Sequence, residues 1–318
     1  MGLVSRRREV MTVDLTTFQG LPAAEVARLV RAAGLKVCVF PVNGTRRWFS
    51  LEFPPEHLEY MGITYFDVLA QRYVELYRLC FDHGLDTLLT PVFGPDLLDR
   101  GEEYAKIAFA GLARLATDPQ FTDFYREYQI RVRFYGDYRR FFAGTPYAYL
   151  PAMFDEVTAQ TSSHDRQRLF YGVCANDATE AIGRLAIDYY AEHGRAPDRR
   201  TLVELYYGEY VPPVDIFIGF DRFWAFDMPL VATGREDLYF TISPSPYLTA
   251  PGLRAILHDH LYLRWVEEPD YMAMSAEDMD SLRSFYRSHQ DKTLGVGVVR
   301  DGIWYPLPQV ELPDGLAG

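Results

Sequence analysis

A chain of 318 residues, 48% hydrophobic and 24% charged, can bury a large core and has neither the composition of a disordered protein nor that of a membrane span. Its net charge of −12 excludes a nucleic-acid polymer as the expected partner. Three scattered cysteines, Cys38, Cys80 and Cys174, suggest neither a disulfide framework nor a zinc ribbon, and they fit a reducing cytoplasm.

In chain order, the basic run Arg6-Arg7-Arg8 is followed by no apolar segment, so no signal peptide is expected. No run approaches the ~18 apolar residues of a transmembrane helix. Pro22–Ala33 reads as a helix stopped by Gly34, and Lys36–Val42 as a buried strand. Tyr65–His83 is an amphipathic helix, with Phe66, Leu69, Tyr73, Leu76, Tyr77 and Cys80 at three-and-four spacing and Gly84 at its end. Leu85–Phe93 is the next strand; Arg100–Ala116 and Gln120–Tyr128 are helices. Ile130–Tyr135 alternates as a strand does and runs into Gly136-Asp137. Residues 141–166, rich in Gly, Pro, Ser and Thr, read as an irregular surface excursion or flap. Leu169–Val173 is a strand and Asp177–His193 a helix. Val214–Phe220 and Leu238–Ile242 are strands; Leu253–Arg264 and Ala276–His289 are helices, the latter N-capped by Ser275. The C-terminal stretch 290–318 holds a hairpin turning at Asp301-Gly302, then a tail.

Strands alternating with helices predict an α/β fold: a largely parallel sheet of about six strands, flanked by helices, in one domain over residues 1–318. In such sheets the site lies beyond the carboxyl ends of the strands. That points to the residues after Val42, Phe93, Tyr135, Val173 and Ile218. Asn43-Gly44-Thr45-Arg46-Arg47-Trp48 combines a glycine turn, a hydroxyl and two forked cations, a pattern suited to phosphate oxygens. The plainer reading is a tight turn with solvated arginines. Asp99, near Gly101, either caps the following helix or faces the site. Asp137, in Gly136-Asp137-Tyr138-Arg139-Arg140, and Ala175-Asn176-Asp177 close the next strands. Dinucleotide, P-loop and nucleophile-elbow motifs are missing. His258-Asp259-His260 lies in a predicted helix, where alternate residues face apart, and reads as a surface or capping group rather than a metal site. Aromatics reach 15%, explained by an aromatic core or by a large apolar pocket.

These strand-end runs resemble the cis-prenyltransferases, the family of undecaprenyl diphosphate synthase. Val42–Phe49 is similar to the family's first motif, Arg131-Val132-Arg133-Phe134-Tyr135-Gly136-Asp137 to its RxxGD strand, and Asp237-Leu238-Tyr239-Phe240 to its terminal run. Longer runs, FPVNGTRRWF (Phe40–Phe49), LLDRG (Leu97–Gly101), YYGEY (Tyr206–Tyr210), FIGFDRF (Phe217–Phe223) and GVGVVRDGIW (Gly295–Trp304), resemble the tuberculosinol synthase-like branch of that family.

The resemblance implies a homodimer that ionises a cyclic diterpenyl diphosphate, with water or a nucleoside capturing the cation. Gly44, Thr45, Arg46 and Arg47 would bind the diphosphate, with Mg²⁺. Asn43, Tyr65 and Tyr104 would act at the reacting centre; Trp48, Phe220, Phe223, Asp99 and Asp137 would line the substrate pocket. Two departures stand out. Ile218–Arg222 lacks the Arg-x-Ser motif that binds a second diphosphate, so repeated chain elongation is not expected. Asn43 stands where the family has a metal-binding Asp. Altered metal use, a compensating neighbour and an Asp→Asn substitution are all compatible with it, as is a non-catalytic partner subunit. Water capture is the main expectation and transfer to a nucleoside such as adenosine the alternative.

Overall fold

The computed structural model describes residues 13–53, 65–95, 101–264 and 269–307. Its strands are β1 (Val37–Val39), β2 (Thr87–Phe93), β3 (Ile130–Tyr135), β4 (Gln167–Val173), β5 (Ile216–Phe220) and β6 (Asp237–Thr241), followed by β7 (Gly297–Arg300) and β8 (Ile303–Pro306). The first six form one sheet in the order β3-β4-β2-β1-β5-β6, every pairing parallel. The helices are α1 (Leu15–Gly20), α2 (Ala23–Ala32), α3 (Thr45–Glu52), α4 (Tyr65–Asp82), α5 (Glu102–Thr117), α6 (Pro119–Glu127), α7 (Tyr138–Phe142), α8 (Leu150–Gln160), α9 (Thr179–His193), α10 (Arg199–Tyr207), α11 (Ala250–His258) and α12 (Ala276–Ser288).

Strands such as IFIGF are apolar throughout because helices cover both faces of the sheet. Successive side chains therefore enter two cores. Cys38, Leu88, Leu169, Tyr171 and Ile218 pack on one face with α1, α2, α4, α5, α6, α8 and α11; Val37, Val39, Leu89, Phe170 and Phe217 pack on the other with α9 and α10. Proline interrupts central strand β2. It has no N–H for the ladder, and the register slips there: Pro91 pairs with Gly172 and Phe93 with Val173, leaving Val92 over.

The expected six-strand parallel sheet is present, but several local expectations need correction. Residues 141–166 are not irregular throughout. Leu150, Phe154 and Val157, at helical spacing, are buried on α8, and each such side chain contributes about 1.5–3 kcal/mol on burial. The Gly144-to-Pro146 and Thr161-to-Ser163 stretches are its flanks. β1 is shorter than Lys36–Val42. Phe40 N–H still donates to Leu89 O at 2.8 Å, but Pro41 cannot extend the ladder. α11 ends at His258 and continues as a wider π turn, Asp259–Leu263. His258 and His260 are not surface groups. Both are buried, with His258 Nε2 2.7 Å from Val13 O and His260 Nδ1 2.6 Å from Asp237 Oδ2.

At the C-terminal end, β7 and β8 form an antiparallel hairpin that turns at Asp301 (φ 52) and Gly302 (φ 75). Ser275 Oγ accepts from Asp278 N–H at 3.1 Å and starts α12, as expected. Among the described residues, no helix is long and apolar enough to cross a membrane.

Candidate functional site

Beyond β1, the chain is held by the turn that follows β6. Asn43 N–H donates to Ser245 Oγ (3.1 Å), and Ser245 N–H donates back to Asn43 O (3.0 Å). Gly44 follows with φ 76 and ψ 15 and starts α3, with no side chain capping the helix. A Ser, Thr or Asp cap would take one of the first amides. Here the N–H groups of Thr45, Arg46 and Arg47 open the helix without one, and the positive end of the helix dipole lies with them. Such an end is suited to an anion and makes a candidate anion site. Glycine is required because a Cβ at position 44 would lie 2.8 Å from Phe220 Cε1 and 2.9 Å from Pro244 Cβ.

Arg46 and Arg47 are exposed at this end of the helix. The Arg47 guanidinium carbon lies 5.4 Å from the Phe220 ring centroid, and no carboxylate pairs with Arg47 among the described residues. Trp48, the next residue, is buried and meets Phe53 edge-on at 5.8 Å, so this side of α3 faces inward.

Thr45 also lines an apolar cleft between α4 and α5. The other walls include Tyr65, Phe66, Leu69 and Tyr73 from α4, Gly111, Leu112, Arg114 and Leu115 from α5, and Val92, the residue left over at the β2 bulge. The cleft is open at its mouth and lined mainly by apolar and aromatic side chains, the chemistry usual for pockets that take hydrocarbon groups. Where it meets α3, Thr45 Oγ1 and the Tyr65 hydroxyl are 3.1 Å apart. Tyr65 also stands edge-on to Phe49 at 4.9 Å. Arg114 is the one charged side chain among the described lining residues. It is clamped by Asp67 at 2.5 Å and Asp118 at 2.6 Å.

The structure therefore gathers Asn43, Gly44, Thr45, Arg46, Arg47, Trp48, Tyr65 and Phe220 around the start of α3. It does not bring Phe223 or Asp137 to the cleft. Phe223 is half-exposed and packs on Phe240 at 5.0 Å. Asp137 sits at the sheet's edge, paired with Arg184 at 2.6 Å. Asp99 and the side chain of Tyr104 lie outside the described residues. Apart from Thr45 and Tyr65, the lining residues were not anticipated as such, among them Phe66 and Tyr73 on α4, Gly111 and Arg114 on α5, and Val92. The sequence signals were a proline inside a strand for Val92 and a glycine inside a helix for Gly111.

A bound Mg²⁺ is usually held by one or two carboxylates together with substrate phosphates. Among the described residues no three His, Cys, Asp or Glu side chains are grouped to hold a metal ion. Asn43 supplies a neutral amide where a carboxylate was expected. Among the described residues this donor set offers no group of side chains that would hold Mg²⁺ without the substrate's phosphates.

No family model matches the chain. The backbone is similar to a solved structure of a probable undecaprenyl diphosphate synthase from Campylobacter jejuni, with a TM-score of 0.52 at 14% identity over 74% of this chain and 96% of that one. The fold is that of the cis-prenyltransferases. In sequence the chain is 44% identical to tuberculosinyl adenosine transferase of Mycobacterium tuberculosis over 290 residues, 91% of this chain and 96% of the relative. It is 23% identical to (+)-kolavelool synthase of Herpetosiphon aurantiacus over 300 residues, 93% of this chain and 96% of that relative. The chain belongs to the tuberculosinyl adenosine transferase family, within the cis-prenyltransferase structural family, and is an enzyme of the transferase and terpene synthase type.

Proposed function

We propose that this protein transfers a cyclic diterpenyl group from its diphosphate to a nucleoside of the adenosine kind, releasing pyrophosphate. One observation carries the reading: Thr45 is both the first residue of an uncapped helix and a wall of the apolar cleft. A molecule with an anionic head and a hydrocarbon tail would meet both at once. The 44% identity to tuberculosinyl adenosine transferase supports the nucleoside as acceptor over water.

In this reading the diphosphate lies on the amides of Thr45, Arg46 and Arg47 and on the two guanidinium groups. The allylic C–O bond breaks and its electron pair leaves with pyrophosphate. The fixed positive groups stabilise the charge growing on that oxygen without having to reorganise. The carbocation is left against the rings of Tyr65, Phe66 and Tyr73, each face contributing about 0.5–2 kcal/mol when desolvated. A lone pair of the acceptor then forms the new bond. Asn43 and the Tyr65 hydroxyl would position the acceptor, with Tyr104 as a further candidate. Any Mg²⁺ would come with the diphosphate and offset its charge.

Quenching by water is the second reading, supported by the likeness to (+)-kolavelool synthase. A homodimer also belongs to the proposal. None of the described residues of α12 is buried, and Trp224, Ile242, Leu294 and Val299 expose more than half of their surface.

The test is incubation of the purified protein with farnesyl, geranylgeranyl and bicyclic labdane, halimane and clerodane diphosphates, with and without adenosine and Mg²⁺. Products are followed by mass spectrometry, and oligomeric state by light scattering. A nucleoside adduct from a bicyclic substrate is expected. A terpene alcohol that forms equally with and without adenosine would move the assignment to water capture. Absence of pyrophosphate from every substrate would refute both.

A further inference from the structure

One wall of the cleft is built on a close contact between a ring of α4 and a glycine of α5. Phe66, in the first turn of α4, reaches across to α5 and rests on Gly111. A Cβ at position 111 would lie 2.9 Å from Phe66 Cε1 and 3.6 Å from Cδ1, so the ring takes the place of a side chain. The ring is bounded elsewhere by Tyr65, at 5.5 Å between centroids, and by the Arg114 guanidinium carbon at 5.7 Å. Arg114 is itself immobilised by Asp67 and Asp118. This part of the cleft is thus a ring seated on a glycine and backed by an ion-paired cation.

We propose that the Phe66–Gly111 contact, backed by Arg114, sets the size of the hydrocarbon group accepted, favouring a compact ring system over an extended chain. The assignment rests on reading the cleft as the hydrocarbon site. A longer chain would have to displace the ring or lie against Arg114, stripping water from a guanidinium and two carboxylates. A compact bicyclic group meets rings and aliphatic side chains alone.

Two substitutions with opposite expected effects test it. Phe66→Ala removes the ring. Gly111→Ala adds a Cβ that displaces the ring by about 0.7 Å before ordinary contact is restored, while alanine otherwise favours the helix. The measurement is kcat/KM for farnesyl, geranylgeranyl, geranylfarnesyl and bicyclic diterpenyl diphosphates. Ratios between substrates cancel differences in the folded fraction. Phe66→Ala should raise the geranylfarnesyl-to-bicyclic ratio about tenfold. Gly111→Ala should lower the bicyclic-to-farnesyl ratio by a similar factor, a scale typical of small changes in pocket volume. Phe66→Leu in the Gly111→Ala background should restore that ratio. Parallel loss on all substrates, or unchanged ratios, would overturn the assignment.

Binding of the matching prenyl alcohols, read by protein fluorescence, gives a second measure free of turnover. Alcohols that follow the expected size ranking while no diphosphate is cleaved would refute the proposed reaction and uphold the size assignment. Turnover with an unchanged ranking would refute the size assignment alone.

Discussion

Gly44→Ala should damage the fold and the anion site together. The backbone there has φ 76, and an L-residue in that conformation costs about 1–2 kcal/mol. The new Cβ would also lie 2.8 Å from Phe220 and 2.9 Å from Pro244. Overpacking of that kind typically costs about 1–3 kcal/mol. The expected loss is therefore about 2–5 kcal/mol. Gly144→Ala is the control, because its φ is 72 but nothing lies within 4 Å of the added carbon. It should lose only the conformational part, about 1–2 kcal/mol. Urea unfolding of both variants, beside pyrophosphate release under conditions where each is folded, separates the two contributions. Phe220 underlies Arg47 and Pro244 adjoins Ser245, so relief of the contact moves parts of the cradle. Release should fall at least about tenfold in Gly44→Ala and stay near wild type in Gly144→Ala. Equal stability losses in the two variants, or full release by Gly44→Ala, would refute the close-approach argument.

Arg47→Ala should lower kcat/KM about 100-fold or more, the scale of losing one preorganised charge donor. The melting temperature should barely move because the side chain is exposed. Arg47→Lys should fall between, and a loss in Arg47→Ala below about threefold would remove Arg47 from the site. His260 gives a pH prediction. Burial and the charge of Lys36 hold it below its ordinary 6.5, against the opposing pull of Asp237. The unfolded chain therefore binds more protons just below that value, so stability falls as pH drops through about 6.5 and levels off beneath the folded pKa. His83, depressed first by burial, adds with the same sign. His260→Gln should flatten the acid side of a melting-temperature profile; an unchanged slope would refute the assignment. Burial pushes the thiols of Cys80 and Cys174 up to about 12 and raises Cys38 well above its usual range. A thiol reagent at neutral pH should label none of the three in folded protein and all three in urea. Fast labelling of the native state would contradict the buried placement.

The architecture was legible because the strands are apolar runs punctuated by glycine, and a sheet covered on both faces leaves that mark. Ile130–Tyr135 could be read to the residue. Helices without an ordinary start were harder. α3 opens at Gly44 with no side-chain cap, so Asn43–Trp48 read as a glycine turn and the helix was not anticipated; the missing cap leaves its first amides without a side-chain acceptor. α10 did carry signals, Asp198 accepting from Thr201 N–H and Gly208 in the left-handed region, but they lay between stronger elements. The charged half of the candidate site follows one strand end and could be read from Asn43–Trp48. The apolar half comes from the facing sides of α4 and α5, where cleft residues share the spacing of core residues. Phe223 lies only three positions beyond Phe220, but the chain turns at Asp221, whose φ is 71, and carries it to Phe240 instead.

The position of β1 also bears on how the chain is made. Cys38 pairs with Leu88 on one side and with Ile216 on the other, and Val37 N–H reaches the Asp215 carboxylate 178 positions later. At a synthesis rate of about 5–20 residues per second, β1 spends on the order of ten seconds or more with one edge open and no β5 to fill it. Phe40 and the apolar strand beside it form an unprotected pairing edge during that interval. Fragments ending before β5 should therefore be captured by chaperones or precipitate rather than fold. The cradle forms late in synthesis, because Phe220, Pro244 and Ser245, which hold Asn43 and Gly44, emerge after most of the sheet has already been translated.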